Sequence, residues 1–341
     1  MINTPKLTGL ISAPFTPMHP DGSIHYERIK DFADYVIASE CVNGVFICGT
    51  TGESASLTTA EREKIAETWI SHAGGRLKIT VHVGGTSICQ SEELARHAQD
   101  IGASAIGSIA PFFFKPASIE DLVQYFRPIA AAANRLPFYY YNMPSISGVS
   151  LPVPEFLKRG AQVIPTLRGV KFTHNNLMEM QQCVQLNNGE FDILHGFDEI
   201  LITGLSIGVK GAVGSTYNYI PQIYKGIMQA MQRNDIAEAR RLQYESVKIL
   251  DVVIRHGGGV RGGKALMKLA GIDCGQCRLP ISPVSDEEME DIKKELQNTT
   301  FFNICLLYTS DAADDLLCVD LGGRRIIKKA TINIYKTTQR S

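Results

Sequence analysis

Lys171 is flanked by Val170 and Phe172 in a strand-like segment at 169–173, and a tyrosine-rich segment precedes it at 137–144. Between apolar neighbours, loss of hydration disfavours the ammonium form and lowers the pKa of a lysine. A neutral amine attacks carbonyl carbon, so this pattern predicts Schiff-base chemistry, with Tyr141 on a neighbouring strand moving protons. The alternative is a lysine at a strand end whose ammonium simply reaches solvent. These residues alone leave both readings open.

A second chemical feature is the turn Gly49-Thr50-Thr51-Gly52-Glu53, which follows an apolar strand-like segment. Glycines let the backbone turn so that successive N–H groups point together, an arrangement that suits an anion such as a carboxylate. The hydroxyls of Thr50 and Thr51 would add two donors. The same composition also fits an ordinary strand-to-helix turn.

These residues need a scaffold, and the chain alternates short β-rich segments with amphipathic helical patterns. The eight predicted strands fall within residues 9–15, 44–49, 78–84, 105–110, 137–144, 169–173, 192–198 and 211–216. Helix starts are indicated by capping-box spacings at Thr58/Glu61 and Ser87/Gln90. The alternation predicts an α/β fold, a closed (β/α)8 TIM barrel, with a doubly wound open sheet as the alternative. Catalytic groups of such a barrel lie at the C-terminal ends of its strands, where Lys171 and Tyr141 are placed.

Composition limits the function classes. The chain has 341 residues, is 44% hydrophobic and carries a formal net charge of -1. This balance argues against a nucleic-acid or anionic-membrane partner, because neither would meet a basic surface. We find no apolar run of about twenty residues that would span a bilayer, and the start does not resemble a signal peptide. We expect a cytoplasmic protein whose eight cysteines are free thiols.

Four segments carry a family resemblance: the turn at 49–53, Tyr-Asn-Met-Pro at 141–144, the lysine strand at 169–173, and 211–218, which ends in Gly-Ser-Thr-Tyr-Asn. Together they make the chain similar, from about residue 7 to about residue 297, to the pyruvate-dependent class I aldolases that group N-acetylneuraminate lyase with dihydrodipicolinate synthase. The resemblance implies one catalytic domain at 1–297, consisting of a TIM barrel with a C-terminal helical extension. Helical patterns at 222–233, 236–255 and 264–270 would belong to that extension.

Within this family, one position favours a subgroup. Dihydrodipicolinate synthases usually carry an arginine where this chain has Ile146, and isoleucine cannot replace bidentate carboxylate recognition. The segment resembles the sialic acid lyases instead. In those enzymes, residues matching Gly196, Asp198, Glu199 and Ser215 contact the polyhydroxyl tail of a sugar acid. Adjacent carboxylates suit that role because each accepts hydrogen bonds from vicinal hydroxyls, although they equally suit a helix N-terminus.

The resemblance implies a reversible retro-aldol reaction. Lys171 would form an imine with N-acetylneuraminate, Tyr141 would take a hydroxyl proton with help from Thr173, and Thr50 with Thr51 would hold the substrate carboxylate. The products would be N-acetylmannosamine and pyruvate, with no cofactor and no metal. A homotetramer is also implied. Some relatives place a tyrosine from a neighbouring subunit where this chain has Phe112-Phe113-Phe114, so an intersubunit tyrosine relay is not expected here.

Several other motifs are discounted. The spacing of 258–264 is similar to a phosphate-binding loop, but Ala265 stands where a serine or threonine would bind Mg²⁺. The lone CxxC at 274–277 has no second ligand pair. His82 lies in an apolar strand pattern and is predicted to be a core histidine, while His174 either lines the pocket or is merely polar.

Two alternatives to the leading function stay open. One is another pyruvate aldolase of the family with a different aldehyde partner. The other is a catalytically silent barrel that binds sugar acids, which the joint presence of Lys171, Tyr141 and the 49–53 turn disfavours. Residues 298–341 have no counterpart in the family pattern and are predicted to be a disordered or non-native read-through tail, with a basic docking tail as the alternative.

Overall fold

The strand-forming segments are short and rich in β-branched and aromatic residues, and nearly every residue in them is buried, as a sheet covered on both faces requires. The computed structural model describes residues 6–304. Its strands are β1 Gly9–Ser12, β2 Val42–Ile47, β3 Lys78–His82, β4 Ala105–Ile109, β5 Phe138–Asn142, β6 Leu167–Phe172, β7 Asp192–His195 and β8 Gly211–Gly214.

The eight strands are all parallel and close into a barrel in the order β1 to β8. Closure is made by β8, whose residues from Gly211 to Gly214 pair in register with Gly9 to Ser12 of β1. The predicted (β/α)8 barrel is therefore confirmed, and the doubly wound open sheet is excluded. All C-terminal strand ends meet on one face of this barrel, so side chains far apart in sequence converge there.

Helices lie between successive strands and also follow the last one. They are α1 Tyr26–Ala38, α2 Thr59–Ala73, α3 Ile88–Asp100, α4 Ile119–Ala132, α5 Pro144–Ser147, α6 Val153–Val163, α7 Leu177–Gln185, α8 Leu201–Ser206, α9 Pro221–Gln232, α10 Ile236–Arg255, α11 Gly258–Leu269 and α12 Asp286–Leu296. The predicted capping box of α2 is present, with both reciprocal bonds between Thr58 and Glu61. At α3 only half of the motif forms, because Ser87 accepts from the N–H of Gln90 without the return bond.

The tyrosine-rich strand β5 shows how the barrel separates two cores. Tyr139 and Tyr141 face inward and belong to the small cluster that fills the barrel. Tyr140 faces outward into the larger cluster, where its ring packs 5.2 Å from that of Phe126 and 4.9 Å from that of Phe156. This is the period-two alternation of a strand, and it directs the hydroxyl of Tyr141 into the barrel.

Helices α9 to α12 follow the last strand and form the predicted C-terminal extension. Residues 298–304 of the predicted tail are described, and Phe301 is fully buried with its ring 6.5 Å from that of Tyr219. The rest of that prediction, at 305–341, lies outside the described residues. Among residues 6–304, no helix combines the length and the apolarity needed to cross a membrane.

Candidate active site

Lys171 lies near the C-terminal end of β6 and points into the barrel, with 5% of the residue exposed. Its Nζ is 4.4 Å from the ring centroid of Phe46 and 4.1 Å from that of Tyr141. Burial lowers the pKa of Lys171 to about 7, although the charge of Asp198 opposes the shift. A large fraction of this side chain is therefore a neutral amine near neutral pH.

Tyr141 on β5 is the direct neighbour of Lys171 in the strand register. Its hydroxyl lies 3.2 Å from Thr50 Oγ1 and donates to Met143 Sδ at 3.0 Å. Burial raises the pKa of Tyr141 to about 12, against the opposing influence of Thr50 and Thr173. Tyr141 is thus a neutral phenol that can accept a proton only while it passes its own proton on.

The turn after β2 carries Thr50 and Thr51 in a strained backbone. Cys48 and Glu53 bracket it with φ of 54° and 57°, the left-handed region that non-glycine residues rarely adopt. Such strain persists only where the surroundings hold it and is frequent at ligand sites. Among residues 6–304, the backbone N–H groups of Thr50 and Thr51 donate to no protein acceptor. These N–H groups are available to an anion, and the carboxylate contact of this turn stays a prediction.

Thr173 directly follows β6 and is buried on the same side of the chain as Lys171. Its hydroxyl lies close to that of Tyr141 without reaching hydrogen-bond geometry, and it has no hydrogen-bond partner among the described residues. Gly196 gives this side chain its room, since a Cβ at that position would lie 2.0 Å from Thr173 Oγ1. A buried hydroxyl without a partner is suited to contact a ligand.

Asp198 lies in the short turn after β7 and is buried. Its Oδ2 accepts hydrogen bonds from Thr216 N at 2.9 Å and Thr216 Oγ1 at 2.6 Å. The hydroxyl of Tyr217 lies close to this carboxylate without reaching hydrogen-bond geometry, and Oδ1 has no hydrogen-bond partner within residues 6–304. Gly214 is required here, because a Cβ would lie 1.8 Å from Asp198 Oδ1. Burial raises the pKa of Asp198, and the nearby Lys171 opposes that shift.

His195 positions this acidic turn. Its Nε2 donates to Ile200 O at 3.1 Å and its Nδ1 accepts from Phe197 N at 3.3 Å, in the neutral tautomer that satisfies both contacts. Burial lowers the pKa of His195 to about 4, so the ring stays neutral under ordinary conditions. The histidine fixes the backbone on both sides of Asp198.

The other predicted tail-binding residues surround this turn. Glu199 is half-buried, and burial together with the charge of Asp198 raises its pKa. Ser215 follows β8 directly and is also half-buried. With Gly196 they form a polar group at the C-terminal ends of β7 and β8. Around the barrel mouth, only β1 separates β8 from β2, the strand that leads into the Thr50 turn.

Three contacts of the site were not anticipated. The Phe46 ring beneath Lys171 comes from β2, and only its place in an inward-facing alternation would have indicated it. The thioether of Met143 accepts from Tyr141, and Thr216 binds Asp198. Ile146, which was anticipated, is 55% exposed and lines a cavity of about 340 Å³ that Thr50 also lines.

The histidines behave differently from the site residues. His82 is a buried core histidine as predicted, with Nδ1 2.9 Å from Cys48 O and Nε2 accepting from Ile109 N at 3.2 Å. Burial lowers the pKa of His82 well below its ordinary value. His174 lies beside the outward-facing Phe172, with ring centroids 6.2 Å apart, on the opposite side of the chain from Lys171.

The discounted motifs supply no ligand site of their own. The glycine-rich stretch at 258–264 lies in α11, and Cys274 and Cys277 are free thiols. Within residues 6–304, only His19, His25 and Glu27 bring three possible metal ligands within 4.8 Å of one another. The two imidazoles are stacked at 4.1 Å with planes 26° apart, so their lone pairs do not converge on one ion.

The assembled groups match one kind of chemistry. A buried amine with a pKa near 7 can add to a ketone, and the resulting protonated imine withdraws electrons from the neighbouring carbon. The phenol of Tyr141 adjoins that amine, and free hydroxyls and N–H groups surround it. Such a site forms and breaks carbon–carbon bonds next to a keto acid.

Comparison with known proteins supports the same kind of chemistry. The model of the dihydrodipicolinate synthetase family matches residues 6–299. N-acetylneuraminate lyase of Gallus gallus is 42% identical over 296 residues, which are 86% of this chain and 96% of that protein. The solved N-acetylneuraminate lyase of Proteus mirabilis superposes with a TM-score of 0.84 at 39% identity, covering 87% of this chain and 100% of the other. The catalytic lysine mutant of the Ruminococcus gnavus sialic acid aldolase superposes with a TM-score of 0.83 at 28% identity, covering 91% and 99%.

Proposed function

Because the chain belongs to the dihydrodipicolinate synthetase family, we propose that it is an N-acetylneuraminate lyase, which cleaves N-acetylneuraminate reversibly to N-acetylmannosamine and pyruvate. The observation that carries the mechanism is the buried amine of Lys171, whose pKa is about 7 and whose Nζ lies 4.1 Å from the ring centroid of Tyr141. This geometry supports a class I aldolase, in which a lysine imine replaces a metal as the electron acceptor.

The first step forms the imine. Neutral Lys171 adds through Nζ to the C2 ketone of the open-chain sugar acid, and the carbinolamine takes up a proton from solvent as it loses water, which gives a protonated imine. The apolar wall of Phe46 keeps the resting amine desolvated and therefore nucleophilic. Asp198 then stabilises the iminium charge through space, since its carboxylate already raises the pKa of the resting amine.

The second step breaks the C3–C4 bond. The proton of the C4 hydroxyl passes to Tyr141 Oη while the phenol proton moves to the substrate carboxylate, because a phenol with a pKa of about 12 is not already ionised. The bonding electrons flow into the iminium and leave an enamine on Lys171. The C4 hydroxyl becomes the aldehyde of N-acetylmannosamine, which departs first.

The third step restores the enzyme. The proton held on the substrate carboxylate returns through Tyr141 Oη to C3 of the enamine and gives the protonated imine of pyruvate. Addition of water then releases pyruvate, the neutral amine of Lys171 and the proton taken up in the first step. Thr50 and Thr51 would hold the carboxylate through hydroxyl and backbone donors during all three steps. Thr173, whose buried hydroxyl lacks a protein partner, would bridge that carboxylate and Tyr141.

The far end of the substrate would bind at the polar group on β7 and β8. Asp198 Oδ1 and the half-buried carboxylate of Glu199 are acceptors for vicinal hydroxyls of the glycerol tail, and Ser215 adds a donor or acceptor. Gly196, which makes room for the Thr173 side chain, would contact the tail through its partly exposed backbone. The number of acceptors here fits a polyhydroxyl substrate better than an apolar aldehyde.

The alternative within the family, a pyruvate aldolase with another aldehyde partner, is less well supported. Ile146 offers no charge for a second carboxylate, and its side chain is 55% exposed at the cavity beside Thr50. A dihydrodipicolinate synthase of Aquifex aeolicus superposes at only 24% identity, which supports the fold alone.

Assembly and location belong to the same proposal. We expect a homotetramer, as the family resemblance implies. Phe113 and Phe114, which are 74% and 85% exposed on the loop after β4, support an interface between subunits, because large apolar patches are rarely left in water. We expect the protein in the cytoplasm, where the six free cysteines of residues 6–304 would stay reduced. The catalytic domain is proposed to end near residue 297.

The function is tested by reductive trapping. The full chain is treated with borohydride in the presence of N-acetylneuraminate as the only carbonyl source, and peptides are examined by mass spectrometry. A reduced pyruvyl adduct on Lys171 is expected. Labelling of Lys171 by free pyruvate but not by N-acetylneuraminate would replace the proposal with an aldolase of another specificity. Absence of label from both would make the barrel catalytically silent.

A further inference from the structure

Glu53 and Lys264 form a buried ion pair that the reaction does not use. Lys264 Nζ lies 2.7 Å from Glu53 Oε1, and only 3% and 1% of the two side chains are exposed. The ammonium also donates to Gln276 O at 2.9 Å, and Glu53 Oε2 accepts from Arg278 N at 3.0 Å. The contact therefore joins three motifs that had no role: the glutamate of the 49–53 turn, the lysine after the glycine-rich stretch, and the CxxC segment.

We infer that the Glu53–Lys264 pair positions the Thr50–Thr51 turn to receive the substrate carboxylate, an inference that rests on the proposed function. Glu53 closes the turn, since its N–H donates to Thr50 O at 3.0 Å. It does so with φ of 57° and ψ of 32°, a conformation that costs a non-glycine residue free energy. The buried charge pair offsets this cost, because a backbone change that withdraws the Glu53 carboxylate would leave Lys264 buried without its anion.

The helix that carries Lys264 also approaches a residue proposed to bind the other end of the substrate. Lys264 belongs to α11, and the start of that helix adjoins Ser215, since a Cβ at Gly259 would lie 3.7 Å from Ser215 Oγ. One helix thus contacts both the turn for the carboxylate and the proposed site for the hydroxyl tail. The pair thereby sets the distance between these two halves of the site.

Contacts of Arg278 hold the backbone that adjoins the Glu53–Lys264 pair. Arg278 donates through Nε to Gly22 O at 2.9 Å and through Nη1 to Ser56 O at 2.7 Å, and it forms an ion pair with Glu61 at 2.5 Å. These bonds tie the segment after α11 to the loop after β1 and to the start of α2. They hold the 276–278 backbone in place whether or not Glu53 is charged, so the charge of the pair can be altered without releasing the segment.

The test compares Glu53→Gln, Lys264→Met and the double variant Glu53→Gln/Lys264→Met in the full chain. Each single variant should lower the melting temperature, because it strands one buried charge, and the double variant should recover most of that loss. The KM for N-acetylneuraminate and the inhibition constant of pyruvate should rise about tenfold or more in all three, with kcat changed less than threefold. Lys268→Met is the matched control on the same helix, since Lys268 pairs with Asp273 at the exposed surface.

The double variant distinguishes a purely structural role of the pair from a positioning role. If the double variant regains both stability and the KM of the natural chain, the pair is only structural and the inference is wrong. If the stability recovers while KM and pyruvate inhibition stay high, the pair positions the turn. Should the natural chain fail to cleave N-acetylneuraminate, the proposed function fails separately, and trapping of pyruvate on Lys171 in the same variants still reports on the carboxylate turn.

Discussion

Lys171 and Tyr141 face each other in register on the adjacent parallel strands β6 and β5, with the amine 4.1 Å from the ring centroid of the phenol. In a parallel pair, residues in register point to the same face of the sheet, and here that face is the barrel interior. The nucleophile and the proton carrier are therefore fixed by the barrel itself. Their separation does not depend on a loop.

The first prediction concerns Lys171→Met, which should abolish cleavage and stabilise the fold. Folded Lys171 has a pKa of about 7 against an ordinary value of 10.5, so between these values the unfolded chain binds a proton that the folded chain does not. The natural protein should gain stability with rising pH in this window, by about 1.4 kcal/mol per unit at most. The advantage of Lys171→Met should be greatest below pH 7 and should shrink towards pH 10.5.

Denaturant unfolding of both proteins at pH 6 and pH 9 measures this difference. Lys268→Met, which removes an exposed lysine, serves as the control and should show no such pH dependence. If the stability advantage of Lys171→Met over the natural chain grew with pH, the prediction that Lys171 is a desolvated amine would be wrong.

A second prediction follows from the charge of Asp198. The rate at which pyruvate forms a trappable imine should increase with pH and level off above about 7, as Lys171 loses its proton. Asp198 raises the pKa of Lys171, so Asp198→Asn should move the midpoint of this profile to lower pH. Borohydride-quenched time courses give the profile. Asp273→Asn, an exposed carboxylate, should leave the midpoint where it is, and an upward move in Asp198→Asn would rule out the electrostatic coupling.

A third prediction separates proton transfer from imine formation. Tyr141→Phe removes the hydroxyl that relays the C4 proton, so kcat for cleavage should fall by about 10²–10⁴. Pyruvate should still label Lys171 within a few-fold of the natural rate. Tyr140→Phe is the matched control, because that ring lies on the same strand but packs outward. Equal losses in the two variants would mean that β5 needs the hydroxyls for structure and that Tyr141 has no special role.

A fourth prediction tests the acceptor at the tail site. Gly214→Ala would place a Cβ 1.8 Å from Asp198 Oδ1 and must displace that carboxylate. We expect the KM for N-acetylneuraminate to rise more than tenfold, while pyruvate trapping on its high-pH plateau, where Lys171 is neutral with or without the Asp198 charge, changes little because pyruvate lacks the tail. Gly85→Ala, where the nearest atom to a new Cβ is 4.0 Å away, is the control. If Gly214→Ala weakens pyruvate and sugar acid equally, Asp198 does not serve the tail.

Much of this site follows from the sequence because its signals are local. Alternation along two strands places Lys171, Thr173 and Tyr141 on inner faces, and strand order places their ends on one rim. The Thr58/Glu61 spacing predicted the start of α2 because a capping box is satisfied within four residues. The same alternation predicted that Tyr140 would pack away from the site, as it does.

What the sequence did not reveal depends on contacts between distant segments. The predicted helix at 264–270 begins six residues earlier in the structure, at Gly258, although glycine disfavours helix. The reason is close packing: a Cβ at Gly262 would lie 2.5 Å from Val253 O, and one at Gly263 would lie 2.6 Å from Phe15 Cζ. The Glu53–Lys264 pair was missed for the same reason, since no periodicity or local spacing connects those positions.

The last prediction concerns assembly and starts from two phenylalanine rings. Phe113 and Phe114 are 74% and 85% exposed, and their rings contact each other at 5.0 Å in an edge-to-face arrangement. Burying both in a subunit interface would remove two large apolar surfaces from water, which is the usual meaning of such a patch. Sedimentation of the natural protein should give four chains of 37.5 kDa, and Phe114→Asp should give a smaller species at the same concentration. Met178→Asp, at a side chain that is 70% exposed outside this loop, should leave the tetramer intact. A natural protein that stays monomeric at all concentrations would contradict the tetramer, and an unchanged tetramer in Phe114→Asp would place the interface elsewhere.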